Sequence, residues 1–358
     1  MSDEILKKQL IDIIKDEEMP ENIKLAKVDM LIRLGVNLDC FDDDENTALH
    51  LASIGGHFEI VKLLLEKSKS NPDCFFYIDK TNYKGKTSLI EASENGHIEI
   101  LRLLLEEGAN VNRIDNKCCS ALIKASQNGH KEIVQLLLQN GANIDERCNE
   151  GSALVCAVNN EHIDVAKVLV ENNANIDEEM NINGFYISLL SYTLIKGYED
   201  LAEVLIDNGA DVNSIDESGC PALVMALEKG NEKIAKQLIE KDANVNFSSA
   251  NGVTPLMKAS EKGYIEIVRQ LLDRGAGINC CDFYTNDSAL IWASYKGHKE
   301  IVELLIENGA DVNQKNGTGR TVMELAKDEE MRKVIIEAVK KKHEKDNDNL
   351  GFKKIERE

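Results

Sequence analysis

The chain repeats one sequence pattern about every 33 residues, from Thr47 almost to its end. A typical copy begins with Thr or Ser, places Leu two and Ala five positions later, and continues through Gly-His or Gly-Tyr to Glu-Ile-Val and Leu-Leu. The clearest copies begin at Thr254 and Ser288. A period of this length predicts small structural repeats that stack in a row, because no single copy can bury its apolar residues alone.

The spacing between copies shows where the chain tolerates insertions. Of the eight intervals between successive first residues, six are 32 to 34 residues long and the other two are 36 and 40. The longest interval contains the turn-forming run Ser-Asn-Pro-Asp, so we expect the extra residues in loops. The first residues are Thr47, Thr87, Ser120, Ser152, Ser188, Pro221, Thr254, Ser288 and Thr321.

Each copy predicts two short helices. The Thr or Ser caps the first helix by accepting a hydrogen bond from a free backbone N–H. Glycine nine positions later ends that helix in the left-handed conformation, as at Gly263. Glu-Ile-Val followed by Leu-Leu gives the second helix an apolar stripe at spacings of three and four.

These motifs resemble the ankyrin repeat over roughly residues 20–340. Only Thr254-Pro255-Leu256 keeps the family's Thr-Pro-Leu, and Pro221 replaces the capping residue. The resemblance implies an all-α ankyrin-repeat solenoid of helix-turn-helix repeats joined by β-hairpin-like finger loops. We expect an N-terminal helical cap and partial repeat at 1–40, about eight repeats at 41–316, a C-terminal capping repeat at 317–342 and a charged, disordered tail at 343–358.

Composition restricts the classes of partner and the compartment. The formal charge of −21 argues against a general nucleic-acid or membrane-surface binder, whose contact face is basic. The nine cysteines show no zinc-site spacing, and the adjacent pairs at 118–119 and 280–281 are poorly placed for disulfides. The amino terminus lacks a signal-peptide pattern. We expect a soluble monomer in the cytoplasm, or the nucleus, without metal or cofactor.

The histidines indicate that the protein is not an enzyme. Five of the seven occupy the same position of the repeat, and His50 occupies the family's Thr-x-Leu-His position. Repetition at the period predicts that these side chains bind loop backbone, which leaves no histidine of the repeats to activate a nucleophile. The five are His57, His97, His130, His162 and His298.

Candidate binding residues occur where the repeats differ from one another. In ankyrin proteins the first helices line a concave groove, so positions four, seven and eight after the first residue should face a partner. From the fifth repeat onward position eight is always lysine: Lys196, Lys229, Lys262 and Lys296. Position four carries Tyr192, Met225, Lys258 and Trp292, and Tyr295 lies one turn after Trp292.

This arrangement has two interpretations. Aromatic residues and methionine beside a line of ammonium groups suit an acidic or mixed-charge protein surface. Alternatively, each lysine lies one residue before a helix-ending glycine, where a cation stabilises the helix dipole. That alternative explains the lysines one by one but does not explain Tyr192 or Trp292.

Aromatic pairs also cluster in the loops between repeats. Phe76-Tyr77, Phe185-Tyr186 and Phe283-Tyr284 all lie in junctions longer than 33 residues. Exposed aromatic residues on loops are typical of contact surfaces, although long loops also use such residues to pack on themselves. Phe283 and Tyr284 are the stronger candidates, since they can lie beside Trp292 and Tyr295.

The ankyrin resemblance implies a non-catalytic protein-interaction scaffold or adaptor that binds a protein partner through groove and fingers. An alternative is a sensor of a small anionic ligand or oligonucleotide. Cys281-Asp282-Phe283-Tyr284 resembles one repeat of the ankyrin arm of ribonuclease L, which holds oligoadenylate between aromatic residues and lysines. With a single matching repeat, a nucleic-acid ligand is the less favoured hypothesis.

Overall fold

The computed structural model describes residues 3–69, 78–182 and 184–355, apart from the side chains of 182 and 346–355. The chain divides into two compact units, Met1–Asn175 and Ile176–Glu358. Both are built mainly from short helices arranged in antiparallel pairs, as the sequence predicted.

The N-terminal unit begins with two longer helices and continues with four pairs of short ones. The strands β1 and β2 form a small antiparallel hairpin before the last pair. The elements are α1 (Asp3–Lys15), α2 (Glu21–Arg33), α3 (Ala48–Ile54), α4 (Phe58–Ser68), α5 (Ser88–Glu94), α6 (Ile98–Glu106), α7 (Ala121–Gln127), α8 (Lys131–Gln139), β1 (Arg147–Cys148), β2 (Gly151–Ser152), α9 (Ala153–Asn159) and α10 (Ile163–Glu171).

The C-terminal unit begins with a hairpin of two four-residue strands and also contains four pairs of short helices. A short helix and one long helix follow them. The elements are β3 (Glu179–Ile182), β4 (Phe185–Ser188), α11 (Leu189–Lys196), α12 (Glu199–Asp207), α13 (Ala222–Lys229), α14 (Glu232–Glu240), α15 (Pro255–Lys262), α16 (Ile265–Asp273), α17 (Ala289–Lys296), α18 (Lys299–Glu307), α19 (Val322–Leu325) and α20 (Glu329–Ile355).

Side-chain caps start most of the first helices. In six repeats the Thr or Ser before the helix accepts a hydrogen bond from the backbone N–H three residues later, as Thr254 does from Met257. Pro221 makes no such bond, in line with its missing hydroxyl, and Ser288 makes none either. The predicted cap is therefore present in all but two of the eight pairs in the described chain.

Each unit buries its helices in two layers. The first helices pack on one another in sequence order, as α13 does on α11 and on α15, and the second helices form a parallel layer behind them. The apolar stripe of the second helix points into this core, where Ile267, Val268 and Leu271 have no exposed surface. Burying one such side chain stabilises the fold by about 1.5–3 kcal/mol, so packing between repeats holds these short helices.

The repeated histidines join neighbouring repeats. In four of them Nε2 lies 2.9–3.1 Å from a backbone carbonyl at or near the end of the preceding first helix, for example His97 to Ile54. Because a carbonyl can only accept, Nε2 carries the proton. The predicted scaffold role is thus found, but the partner is a helix end rather than a loop.

His57 departs from this pattern. Its Nε2 lies 2.9 Å from the ammonium of Lys24, and its Nδ1 lies 2.8 Å from a carboxylate oxygen of Glu21. Lys24 also donates to the carbonyl of Ile14 at 3.1 Å and is fully buried. At the first repeat, a lysine side chain therefore takes the place of the carbonyl that the other histidines use.

Turns between repeats have the finger geometry expected of the family. Besides the two hairpins, isolated antiparallel bridges pair the ends of four fingers, for example Cys281 with Ser288. Phe185 and Tyr186 lie on β4 and are exposed. Phe76 and Tyr77 lie outside the described residues.

The long helix α20 covers the last repeat. Its side chains Met331, Ile335 and Ala338 are buried, and the helix packs against α18. The helix continues to Ile355, through most of the segment 343–358 where we expected a disordered tail. The sequence reasoning treated the charge of this segment as a sign of disorder, whereas its residues continue an existing helix without a glycine or proline before Gly351.

Candidate functional site

The four first helices of the C-terminal unit end in the same way. In α11, α13, α15 and α17 the last residue is an exposed lysine, and the glycine after it has a φ between 78° and 90°. That left-handed glycine closes the helix with its own N–H, for example Gly263 to the carbonyl of Ala259. We call Lys196, Lys229, Lys262 and Lys296 the lysine row.

Members of the row have different surroundings. The ammonium of Lys196 lies 5.7 Å from the ring centroid of Tyr192, and that of Lys229 donates to the carbonyl of Ile195 at 3.3 Å. Lys296 forms an ion pair with Glu261 at 3.3 Å. In the part of the chain that the structure describes, Lys262 has neither an ion-pair nor a hydrogen-bond partner.

Position four of the repeat lies deeper than the sequence reasoning placed it. Tyr192 and Met225 are buried, and only 12% of the Lys258 side chain is exposed. The neighbouring first helices pack directly on one another, and the ammonium of Lys258 lies over the Trp292 ring of the next repeat. Of the four side chains, only Lys258 and Trp292 are partly exposed, and the Lys258 charge is already paired with carboxylates. We therefore leave Tyr192, Met225 and Lys258 out of the surface proposed below.

Lys258 instead organises a network of charges beneath the surface. Its ammonium lies 3.3 Å from Glu228, 3.0 Å from Glu261 and 5.1 Å from the ring centroid of Trp292. Glu261 also pairs with Lys296. Burial opposes ionisation of Glu261, but the hydrogen bonds and charges of Lys258 and Lys296 outweigh it and lower the pKa of the carboxyl. The network fixes one face of the Trp292 ring.

A pocket of about 300 Å³ opens beside Trp292. Its walls combine two aromatic rings, two aliphatic side chains, a lysine and two carboxylates. Asp287 is held in place by Asn316, whose amide donates to it at 3.0 Å. This Trp292 pocket is lined by Glu261, Asp287, Ile291, Trp292, Tyr295, Lys296, Asn316 and Leu325.

Three aromatic side chains, one in the pocket wall and two on a finger, are largely exposed. Tyr295 is 66% exposed, and Phe283 and Tyr284 on the preceding finger are 75% and 80% exposed. The Phe283 ring lies against Gly252 so closely that a Cβ there would come within 2.7 Å of it. Phe283 is thus held by the previous finger although most of its surface is free.

Asp282 holds the finger that carries Phe283 and Tyr284. This buried carboxylate accepts bonds from the backbone N–H groups of Tyr284, Thr285 and Asp287 and from the Thr285 hydroxyl. Burial opposes its ionisation, but these donors outweigh the effect and lower the pKa of Asp282. The finger therefore presents its two rings on a well-defined turn.

The sequence reasoning missed the acidic part of this surface. Glu228 and Glu261 occupy position seven of their repeats, which was expected to face the groove although its carboxylates were not singled out. The spacing of three between Lys258 and Glu261 predicts an ion pair on a helix and could have revealed the network. No comparable signal marks Asp287, Asn316 or Leu325, which come from later repeats.

The described residues lack two kinds of feature. They contain no group of three or more His, Cys, Asp or Glu side chains that could hold a metal ion. None of their helices is both long and apolar enough to span a bilayer.

Comparison with known families identifies the repeats. Three copies of the ankyrin-repeats family match residues 21–115, 111–180 and 190–282, and a single ankyrin repeat matches 285–317. The chain belongs to the ankyrin-repeat family. Together these matches cover most of both units, and the short gap between 180 and 190 contains most of the β3–β4 hairpin.

One curated protein is distantly similar to this ankyrin-repeat chain. It is the 26S proteasome non-ATPase regulatory subunit 10 of Dictyostelium discoideum, 32% identical over 63 residues. The alignment covers 16% of this chain and spans about a quarter, 27%, of that relative. The similarity is consistent with the shared repeat.

Proposed function

We propose that this ankyrin-repeat protein is a non-catalytic scaffold or adaptor that binds a protein partner through its C-terminal unit. The contact surface comprises the Trp292 pocket, the lysine row and the finger that carries Phe283 and Tyr284. The observation that carries this proposal is the Trp292 pocket, about 300 Å³ in volume, with a largely exposed tyrosine in its wall. Ankyrin repeats serve generally as protein-interaction modules, which supports the class of function.

The chemistry of the pocket supports a protein partner. Interfaces concentrate their binding energy in a few buried aromatic and charged contacts surrounded by a polar rim. Here Trp292 and Tyr295 supply aromatic surface, whereas Lys296 and Asp287 supply the rim. An apolar side chain of a partner would bury the exposed part of both rings.

An oligonucleotide suits this surface less well. The exposed rings of Phe283 and Tyr284 could stack on bases, as the alternative hypothesis requires. Two carboxylates line the neighbouring pocket, however, and Lys296 is already paired with one of them. A phosphate group entering there would meet like charges.

We expect Tyr295→Ala to weaken partner binding by at least about tenfold, the size of effect found at interface hot spots. Because this side chain is 66% exposed, its removal should leave the thermal unfolding temperature nearly unchanged. Tyr186→Ala is the matched control, since Tyr186 belongs to the same unit, is 65% exposed and lies on the β3–β4 hairpin, outside the Trp292 pocket.

The measurement is affinity purification with mass spectrometry on the full chain and both variants. Each captured protein is then purified and titrated against all three by calorimetry. A partner that binds Tyr295→Ala as tightly as Tyr186→Ala would show that the pocket is not the contact surface.

A further inference from the structure

Position eight of the repeat, at the end of the first helix, carries different residue types in the two units. In the N-terminal unit position eight of the repeat is Gly55, Asn95, Asn128 or Asn160, and in the C-terminal unit it is always lysine. Both residue types are common at helix ends, so the difference becomes informative only through what the side chains do.

The asparagines cap their own helices. Asn95, Asn128 and Asn160 each donate a side-chain N–H to the carbonyl four residues earlier, at 2.8–2.9 Å. These bonds satisfy carbonyls that a helix end leaves free. Position eight therefore has a clear structural role in the N-terminal unit.

The lysines do not take over that role. No ammonium of the row bonds to a carbonyl of its own helix in the described structure, and the left-handed glycine closes each helix instead. Only Lys229 reaches a carbonyl at all, that of Ile195 in the neighbouring helix. Helix capping alone thus does not account for four consecutive lysines.

Three of these lysines keep their charge available. Among the described residues Lys196, Lys229 and Lys262 form no ion pair with a carboxylate, whereas Lys258 and Lys296 share Glu261. All three are exposed. In a chain with a formal charge of −21, these three unpaired ammonium groups favour an acidic partner.

The stacking of the helices sets the spacing of the charges. The helices α11, α13 and α15 pack directly on one another, and packed helices lie about 8–10 Å apart. Equivalent side chains in adjacent repeats are therefore separated by about 10 Å. A segment in the extended polyproline II conformation advances about 3.1 Å per residue with three residues per turn, so every third side chain lies on the same face, about 9 Å from the last.

We propose that the lysine row binds an extended acidic segment of a partner protein that places a carboxylate at about every third residue, in register with Lys196, Lys229 and Lys262. At the fourth step the surface changes, because Lys296 is paired and the Trp292 pocket lies beside it. The segment therefore continues with an apolar side chain in that pocket. This assignment rests on the proposed function and specifies the partner's chemistry.

The test is selection of random peptides of about 12 residues, displayed on phage, against the full chain. In extended conformation a peptide of that length covers the three lysines Lys196, Lys229 and Lys262 and the Trp292 pocket. We expect the enriched sequences to carry Asp or Glu at every third position, with an apolar residue about three positions after the last acidic one. Synthetic fluorescein-labelled copies are then titrated by fluorescence anisotropy in low and high salt, and binding should weaken as salt screens the ion pairs.

Variants separate the lysine row from the general charge of the protein. The triple variant Lys196→Met, Lys229→Met and Lys262→Met should weaken the selected peptides about tenfold, from three exposed ion pairs of ordinary strength. The control carries Lys233→Met, Lys241→Met and Lys299→Met, which remove the same charge from α14, from the residue after it and from α18, and should change the affinity less than twofold. Circular dichroism checks that both remain folded.

The outcomes distinguish this inference from the proposed function. If Tyr295→Ala weakens peptide binding and the lysine triple variant does not, the acidic register is refuted and the pocket assignment stands. If neither variant weakens binding, or if the selection enriches no peptide, the result counts against both proposals. An oligodeoxyadenylate of about 12 nucleotides that binds more tightly than the best peptide would overturn the assignment of a protein segment.

Discussion

His50 shows how a single buried side chain makes stability depend on pH. Thr47 N–H donates to its Nδ1 at 3.2 Å, so Nε2 carries the proton and donates to the carbonyl of Lys86 at 2.9 Å. The ring is fully buried. Burial disfavours the charged ring and lowers the pKa of His50 to about 4, although the Lys86 carbonyl partly offsets this.

Acid should therefore unfold the N-terminal unit through His50. The unfolded chain takes up a proton near pH 6.5 and the folded chain only near pH 4, so the folded state loses stability as pH falls through this interval. Between pH 7 and pH 5 we expect a loss of about 2 kcal/mol from this residue. Urea unfolding at both pH values, on wild type and His50→Gln, measures it. Parallel pH dependences of the two proteins would contradict the assignment.

Lys24 offers a second prediction at the scale of one residue. In the described structure its ammonium donates to both the Ile14 carbonyl and His57 Nε2. Lys24→Met would remove this donor from a buried carbonyl and a part-buried imidazole, and should cost about 2 kcal/mol of unfolding free energy. Lys27→Met, an exposed lysine on the same helix, should cost less than about 0.5 kcal/mol. Equal losses in urea unfolding would show that Lys24 does not bridge the cap and the first repeat.

At the scale of helices and turns, α20 acts as the cover of the last repeat. Its buried side chains contact α18 and shield apolar surface that in other repeats is covered by a following helix pair. Terminal repeats of stacked proteins need such a modified element, because their outer side has no neighbour.

Two adjacent isoleucines of α20 test this role. Ile335→Ala removes a buried side chain and should destabilise the C-terminal unit by about 2–4 kcal/mol. Ile336→Ala removes one that is 43% exposed and should cost less than about 1 kcal/mol. Thermal unfolding of the two variants gives the comparison. A difference within error would mean that α20 is not packed against the repeat.

The helix pairs and finger loops were predictable because local chemistry determines them. The period, the capping residues and the glycines were sufficient to predict the helix pairs and the finger loops, since each motif acts within a few residues. The burial of Tyr192 and Met225 was not predictable in this way. It depends on how closely neighbouring repeats approach, which the sequence of one repeat does not encode.

At the scale of the whole molecule, the residue at position eight of the repeat distinguishes the two units. Both stack the same kind of helix pair, yet this residue is asparagine in three of the four repeats of the N-terminal unit and lysine in all four of the C-terminal unit. The family and the lysine row could be read from the sequence. The Trp292 pocket could not, because its walls come from repeats that begin at Thr254, Ser288 and Thr321.

The histidine bonds between repeats also determine how such a chain can gain or lose length. The carbonyl acceptor belongs to one repeat and the imidazole donor to the next, as with Glu261 and His298. Excision of one whole period joins an acceptor to the donor of a later copy, so the new junction forms the same bond. Excision of any other length separates them, which favours duplication and deletion in whole copies during evolution.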